Sequence, residues 1–208
     1  MRERRPIVTI ALIVINIAVF ILAEIFFGPT GDAEVLRRAG GQVPSLVLGG
    51  EYWRLITAMF LHSGIRHLLN NMLLLYVLGE VLERLLGHVK FAILYILGGL
   101  AGNLVELAFM LGRGEDIVSV GASGAVFAVM GGVLLVLLRH RGRIRGLSLR
   151  QLLVMLAFSV YFGFASEGIA NEAHLGGLAA GFLLSLLLYV KELTIVRRSE
   201  REDGVRRE

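Results

Sequence analysis

The chain of 208 residues contains no cysteine. Disulfides, thiolate nucleophiles and Cys-ligated metals are therefore excluded. Charge is scarce as well: Asp, Glu, Lys and Arg make up 18% of the residues, against 56% hydrophobic ones. A soluble domain carries about a quarter charged residues and is about half apolar. There is no His-Glu-x-x-His run, which removes the zinc site of that type. No Gly-x-Gly-Asp stands in an apolar stretch, so a carboxylate pair of that kind is not offered either. Internal repeats of solenoid type are missing. So are the paired broken helices of a secondary transporter.

What is present is apolar length. The mean hydropathy is +0.73, and runs long enough to cross a bilayer recur along the chain. The sequence predicts an all-α, polytopic membrane bundle of six transmembrane helices. These are 7–27, 68–85, 89–111, 121–138, 149–165 and 174–190. They form a single domain over 1–208, with its core at about 50–190 and a charged cytoplasmic tail at 191–208. The first apolar run is longer than the roughly 7–15 residues of a signal-peptide core and no clear cleavage site follows, so it is expected to be retained.

The pI of about 9.8 invites a nucleic-acid reading, but the basic residues gather at the ends of apolar runs. That placement orients a chain in a membrane, and no nucleic-acid partner is expected. With the N-terminus inside, only Arg37, Arg38, Arg54, Arg66 and Arg113 lie outside, leaving sixteen of the 21 Lys and Arg within. The rule that positive charge stays inside therefore puts both termini in the cytoplasm of a plasma (inner) membrane protein. Spans two, four and six then all start at the outer face. Their starts carry His67 and Asn71, Ser123, and His174.

A hydroxyl and an imidazole in hydrocarbon are costly unless they do something. Ser123 sits in Gly121-Ala122-Ser123-Gly124, at a helix start whose unpaired N–H groups can receive an oxyanion. Read alone, that run is equally a small-residue packing motif with an unreactive serine. His174 shares its helix face with Gly177 and Gly181, a groove built for close contact with another helix. The spacing of Ser123, Phe127 and Gly131 supplies a matching surface, so spans four and six are expected to touch. Their outer ends would hold nucleophile and base together. His67 and Asn71, four apart on one face, can both donate to a developing oxyanion or serve only as links between helices. His62, five residues before His67, has no supporting carboxylate at ligand spacing, and no metal site is expected.

Other polar and aromatic residues receive structural readings. Glu83, flanked by Gly79 and Gly87, is expected to bond loop backbone at the cytoplasmic end. Trp53 and Arg54 are read as an interfacial anchor in a partly helical loop of about forty residues. Asn16, Glu24, Asn103 and Glu106 are expected to link helices. Glu167 and Glu172 precede His174 and can tune it, but neither stands as a third triad member. Phe158, Tyr161, Phe162 and Phe164 form an aromatic wall on span five.

Taken in order, Trp53-Arg54, His67-x-x-x-Asn71, Gly79, Glu83 and Gly87, Gly121-x-Ser123-Gly124 and Ala173-His174-x-x-Gly177-x-x-x-Gly181 resemble the rhomboid family of intramembrane serine proteases. The resemblance covers roughly residues 50–185 and looks like the minimal six-span form. It implies Ser123 as nucleophile, His174 as base in a Ser–His dyad, and His67, Asn71 and the Ser123 N–H as oxyanion donors. It further implies cleavage of transmembrane protein substrates near the outer face of the lipid bilayer, without a cofactor, and a lateral gate at span five. Phe127 departs from members with Tyr: stacking on His174 would survive and a hydroxyl bond would not. Relatives that bind or dislocate membrane proteins without cutting them generally lack the serine or the histidine. Both are present here.

Overall fold

The computed structural model describes residues 5–165 and 171–205. The chain is built from helices: α1 Ile7–Phe26, α2 Ala33–Ala39, α3 Pro44–Leu48, α4 Arg54–Thr57, α5 Gly64–Leu86, α6 His88–Arg113, α7 Ser123–Arg139, α8 Leu149–Ala165 and α9 Asn171–Val205. A 3-10 turn, Ala58–Phe60, follows α4. One departure from an all-α chain is a small hairpin of β1 Arg143–Ile144 and β2 Leu147–Ser148, pairing Arg143 with Ser148 and Ile144 with Leu147.

Each predicted span falls within a helix or within a few residues of its ends, but α9 continues to Val205, fifteen residues past the predicted end at 190. By length and hydropathy, three helical stretches among the described residues suffice to cross a membrane: Ile7–Phe26, His88–Arg113 and Asn171–Tyr189. Ser123–Arg139 and Leu149–Tyr161 are apolar but shorter. α5 has 23 residues, but His67, Asn70, Asn71 and Glu80 dilute its apolar character. The outward faces are apolar: Ile10, Val14, Ile21 and Ile25 of α1 and Leu69, Leu73 and Tyr76 of α5 are exposed. Contiguous apolar surface of this kind suits lipid, not water.

The centre of the bundle is α7, buried on every side from Gly124 to Val133. Such a helix must be apolar all round. α9 lies along it in the same direction, because partners at 124 and 177, 128 and 181, 132 and 185, and 140 and 189 advance together. Glycine permits this approach. A Cβ on Gly177 would fall on the Gly124 carbonyl, one on Gly181 on the Ala128 carbonyl, and one on Gly131 on the Leu178 carbonyl. At the far end the His140 Nε2 and the Tyr189 hydroxyl meet at 2.5 Å.

α5 runs antiparallel to α1, and the contact that fixes them is polar. Glu83, fully buried, accepts from the Val8 N–H (2.9 Å), the Thr9 N–H (2.7 Å) and the Thr9 hydroxyl (2.6 Å). These amides belong to the first turn of α1, which lacks a side-chain cap of its own. A carboxylate from another helix thus satisfies two orphan donors and faces the positive end of the dipole. The His88 Nδ1 lies 2.6 Å from the Oε1 that also accepts from Val8. The backbone it bonds is therefore that of a helix start and not a loop.

The long segment after α1 is bound to the bundle by its own polar groups. Gln42 and Ser119 exchange backbone hydrogen bonds at 2.9 and 2.8 Å. Ser45 donates N–H and hydroxyl to Asp116. The Asn103 amide donates to the Leu55 carbonyl at 2.8 Å. Asn103 therefore ties α6 to the segment, whereas Asn16 bonds within α1, to the Leu12 carbonyl.

Two outcomes are expected. Gly181→Ala should lower the thermal unfolding midpoint in detergent clearly, while Gly112→Ala, with open space around it, should leave it unchanged or slightly higher. Glu83→Ala should destabilise by about 3 kcal/mol, because it strands buried amides of α1, measured by the same unfolding assay.

Candidate active site

Ser123 is the first residue of α7, after Ala122, and no side chain caps this helix. The first amides of α7 are thus free of intrahelical partners by position and can receive a negative oxygen. Gly121 lies outside the helix at φ +141°, a conformation that side chains avoid and glycine tolerates. Its N–H donates to the Ala58 carbonyl at 2.9 Å, which ties the start of α7 to the 3-10 turn.

His174 is in the first turn of α9 and 5% exposed. It stacks face to face on Phe127, with ring centroids 4.2 Å apart and planes 4° apart. Phe127 is one helical turn below Ser123, on the same side of α7. The stack and the Gly124–Gly177 contact place hydroxyl and imidazole at one end of one helix pair. Among the described residues no hydrogen bond joins Ser123 to His174, and the His174 Nδ1 has no hydrogen-bond partner. Bonds between such groups are often long before substrate arrives.

His67 reaches the same place from α5. A Cβ on Gly121 would lie 2.8 Å from its Cε1, 2.9 Å from its Nε2 and 3.5 Å from the Ser123 Oγ. The Nε2 edge of His67 and the Ser123 hydroxyl therefore flank one small space that only glycine leaves open. Asn71 is 5% exposed and directs an amide N–H to the His67 carbonyl at 3.1 Å. One N–H of its amide remains for another acceptor.

Other predicted residues hold the frame. Arg54 is buried, donating to Glu51 (2.8 Å) and to the Arg37 and Gly41 carbonyls (both 2.8 Å). It is a strut inside the loop and not an anchor at the lipid surface. Trp53 is half exposed, with the Arg54 guanidinium 4.7 Å from its ring centre. Glu172 bonds Arg113 at 2.7 Å and so ties the end of α6 to the start of α9. Phe158 and Tyr161 are exposed on α8. Glu167 and the side chains of Phe162 and Phe164 lie outside the described residues.

Sequence reasoning left His62 in a loop. The structure buries it fully and sets its ring edge-to-face against His67, centroids 5.2 Å apart and planes at 71°. Burial, then the neighbouring His67, pushes its imidazole down to about 3 from an ordinary 6.5. No pattern could have found this contact, since a loop residue and a helix residue share no period. Among the described residues no group of three or more His, Cys, Asp or Glu is arranged to hold a metal.

Chemically, a hydroxyl at an uncapped helix start, an imidazole at the same end of the helix pair and a second imidazole across the space at Gly121 suit attack on a carbonyl. Comparison with known proteins adds an independent observation. The rhomboid domain model matches residues 49–191. The chain is 35% identical over 184 residues to rhomboid protease GluP of Bacillus subtilis (strain 168), covering 88% of this chain and 35% of that protein. It is 38% identical over 146 residues to the rhomboid protein YdcA of the same bacterium, covering 70% and 72%. It is also 38% identical over 160 residues to RHOMBOID-like protein 5 of Arabidopsis thaliana, covering 75% and 50%. The chain thus spans about a third of GluP and half of the plant protein. With the family model spanning more than half of its length, this chain belongs to the rhomboid family.

Proposed function

We propose that the chain is an intramembrane serine endopeptidase that cuts transmembrane segments of membrane proteins near the outer membrane face. In this reading all six long helices span the bilayer as one domain, both termini are cytoplasmic, and the site opens outward. The observation that carries it is the Phe127–His174 stack, one turn below Ser123. It supports pairing a base on α9 with a nucleophile at the start of α7.

The chemistry is acyl transfer. The His174 imidazole takes the Ser123 proton as the Oγ attacks the peptide carbonyl carbon. The resulting oxyanion receives hydrogen bonds from the N–H groups at the start of α7, from the His67 Nε2–H and from the free amide N–H of Asn71. Collapse breaks the C–N bond, and the protonated His174 gives its proton to the departing amine. Water, deprotonated by the same imidazole, then releases the acyl group and restores the serine. No cofactor enters these steps. The substrate helix must open first, because its peptide bonds are shielded by their own hydrogen bonds. Helix-weakening residues near the cut, glycine above all, favour cleavage.

Family membership and the proteases among the relatives support this reading. So does the presence of both Ser123 and His174, against a purely binding or dislocating role. In proteoliposomes carrying a labelled transmembrane substrate, Ser123→Ala and His174→Ala should each lower cleavage by about a thousandfold or more with unchanged unfolding midpoints. Cleavage at the wild-type rate by Ser123→Ala would remove the assignment. Binding of the substrate without any cleavage by wild type would favour the non-proteolytic reading.

A further inference from the structure

His62 is a buried titratable side chain that the proposed mechanism does not use. It sits between the 3-10 turn and α5, with no exposed surface. Neither ring nitrogen has a well-formed hydrogen bond among the described residues, although the Phe60 backbone lies close enough to favour the protonated ring. A buried polar ring without partners is costly, so its retention here needs a reason.

That reason lies in how His67 is held. Among the described residues no hydrogen bond fixes the His67 ring. On one side stands the backbone of Gly121, so close that a Cβ there would lie 2.9 Å from the Nε2. The His62 ring makes a second contact, edge-to-face at 5.2 Å. Both contacts hang on one turn. The Ala58 carbonyl holds the Gly121 N–H at 2.9 Å, and His62 follows that turn by two residues past Phe60. The turn thus carries one wall and fixes the other, and the imidazole is oriented by packing alone.

We propose that His62 is a positioning residue for His67, its ring holding the His67 imidazole with the Nε2 edge turned toward Ser123. The inference rests on the reading of His67 as an oxyanion donor. Because neither His62 nitrogen is bonded, the shape of the ring carries the contact, and a phenyl ring should replace it. A loosened donor weakens only the charge-developing step, so kcat should fall and KM should stay.

The test is a double-mutant cycle on the full chain in proteoliposomes, with a fluorogenic transmembrane peptide as substrate. His67→Ala should lower kcat about 10²- to 10³-fold. His62→Ala should lower it about 10- to 100-fold with KM within about twofold, and should cause no further loss in a His67→Ala background. His62→Phe should keep most of the wild-type kcat and raise the unfolding midpoint, since it removes two unpartnered nitrogens. His62→Leu, of similar bulk but without a ring, should behave as His62→Ala, which keeps the test valid if the alanine variant folds poorly. Independently of turnover, the imidazole nitrogen NMR shifts of His67 should move in His62→Leu and hold in His62→Phe.

Losses that multiply in the double variant, or a phenylalanine variant as slow as the leucine one, would overturn the proposal while Ser123-dependent cleavage stands. If cleavage does not depend on Ser123, the protease reading fails instead. The role of His62 then falls with it, even where the NMR shifts confirm that the rings are coupled.

Discussion

The close contact of α7 and α9 is the constraint on which the rest depends. Two apolar helices in a bilayer gain little from hydrophobicity, because lipid is as apolar as they are. Their association rests on dispersion between surfaces that fit. Glycines at 124, 131, 177 and 181 remove the side chains that would hold the backbones apart. The helices then run side by side in one direction, and the residues at their shared end meet by geometry. Ser123 and His174 are fifty-one positions apart in sequence, yet His174 stacks on Phe127, one helical turn from Ser123, at the same end of the helix pair.

Around this pair, polar groups fix what packing alone would leave loose. Glu83 closes the start of α1 from the end of α5, so the first helix is docked by a charge as well as by Leu12, Ile13 and Phe20, while most of its remaining apolar surface faces outward. Arg113 and Glu172 tie the end of α6 to the start of α9. The Gly121 N–H hangs on the Ala58 carbonyl, which joins the site to the segment before α5. Each bond joins parts distant in sequence, and each lies at a helix end, where backbone groups are free to be met. The interior of the bundle is mostly apolar, with Asn16, Asn103, Glu106 and Ser185 as buried polar exceptions.

Much of this was legible in the sequence because membrane helices are written in continuous apolar runs. The helix Leu149–Ala165 lies where the sequence placed it, and the Gly177–Gly181 spacing announced the face that meets α7. The expected surface meets α9, with Phe127 on His174 and Gly131 on the Leu178 carbonyl, and the contact extends beyond it because Gly177 and Gly181 oppose Gly124 and Ala128. Start positions were less legible. Gly121 looks like the first residue of a span, but its φ of +141° keeps it outside α7, and apolarity does not encode that. Arg54 beside Trp53 reads as an interfacial pair, yet its partners are carbonyls at 37 and 41 that only the folded loop brings near. His62 was weighed only as a metal ligand, and its packing role was hidden for the same reason. Its contact with His67 crosses from coil to helix, where no periodicity connects them.

The central claim is that α9 delivers a base to the hydroxyl at the start of α7. Mapping a fluorophosphonate adduct by mass spectrometry on the purified chain tests it most directly. The account predicts a single adduct on Ser123 in the wild type, and its loss, at the same reagent concentration, in a folded His174→Ala variant. Modification of Ser123 that proceeds equally well without His174, or an adduct on another serine, would contradict it.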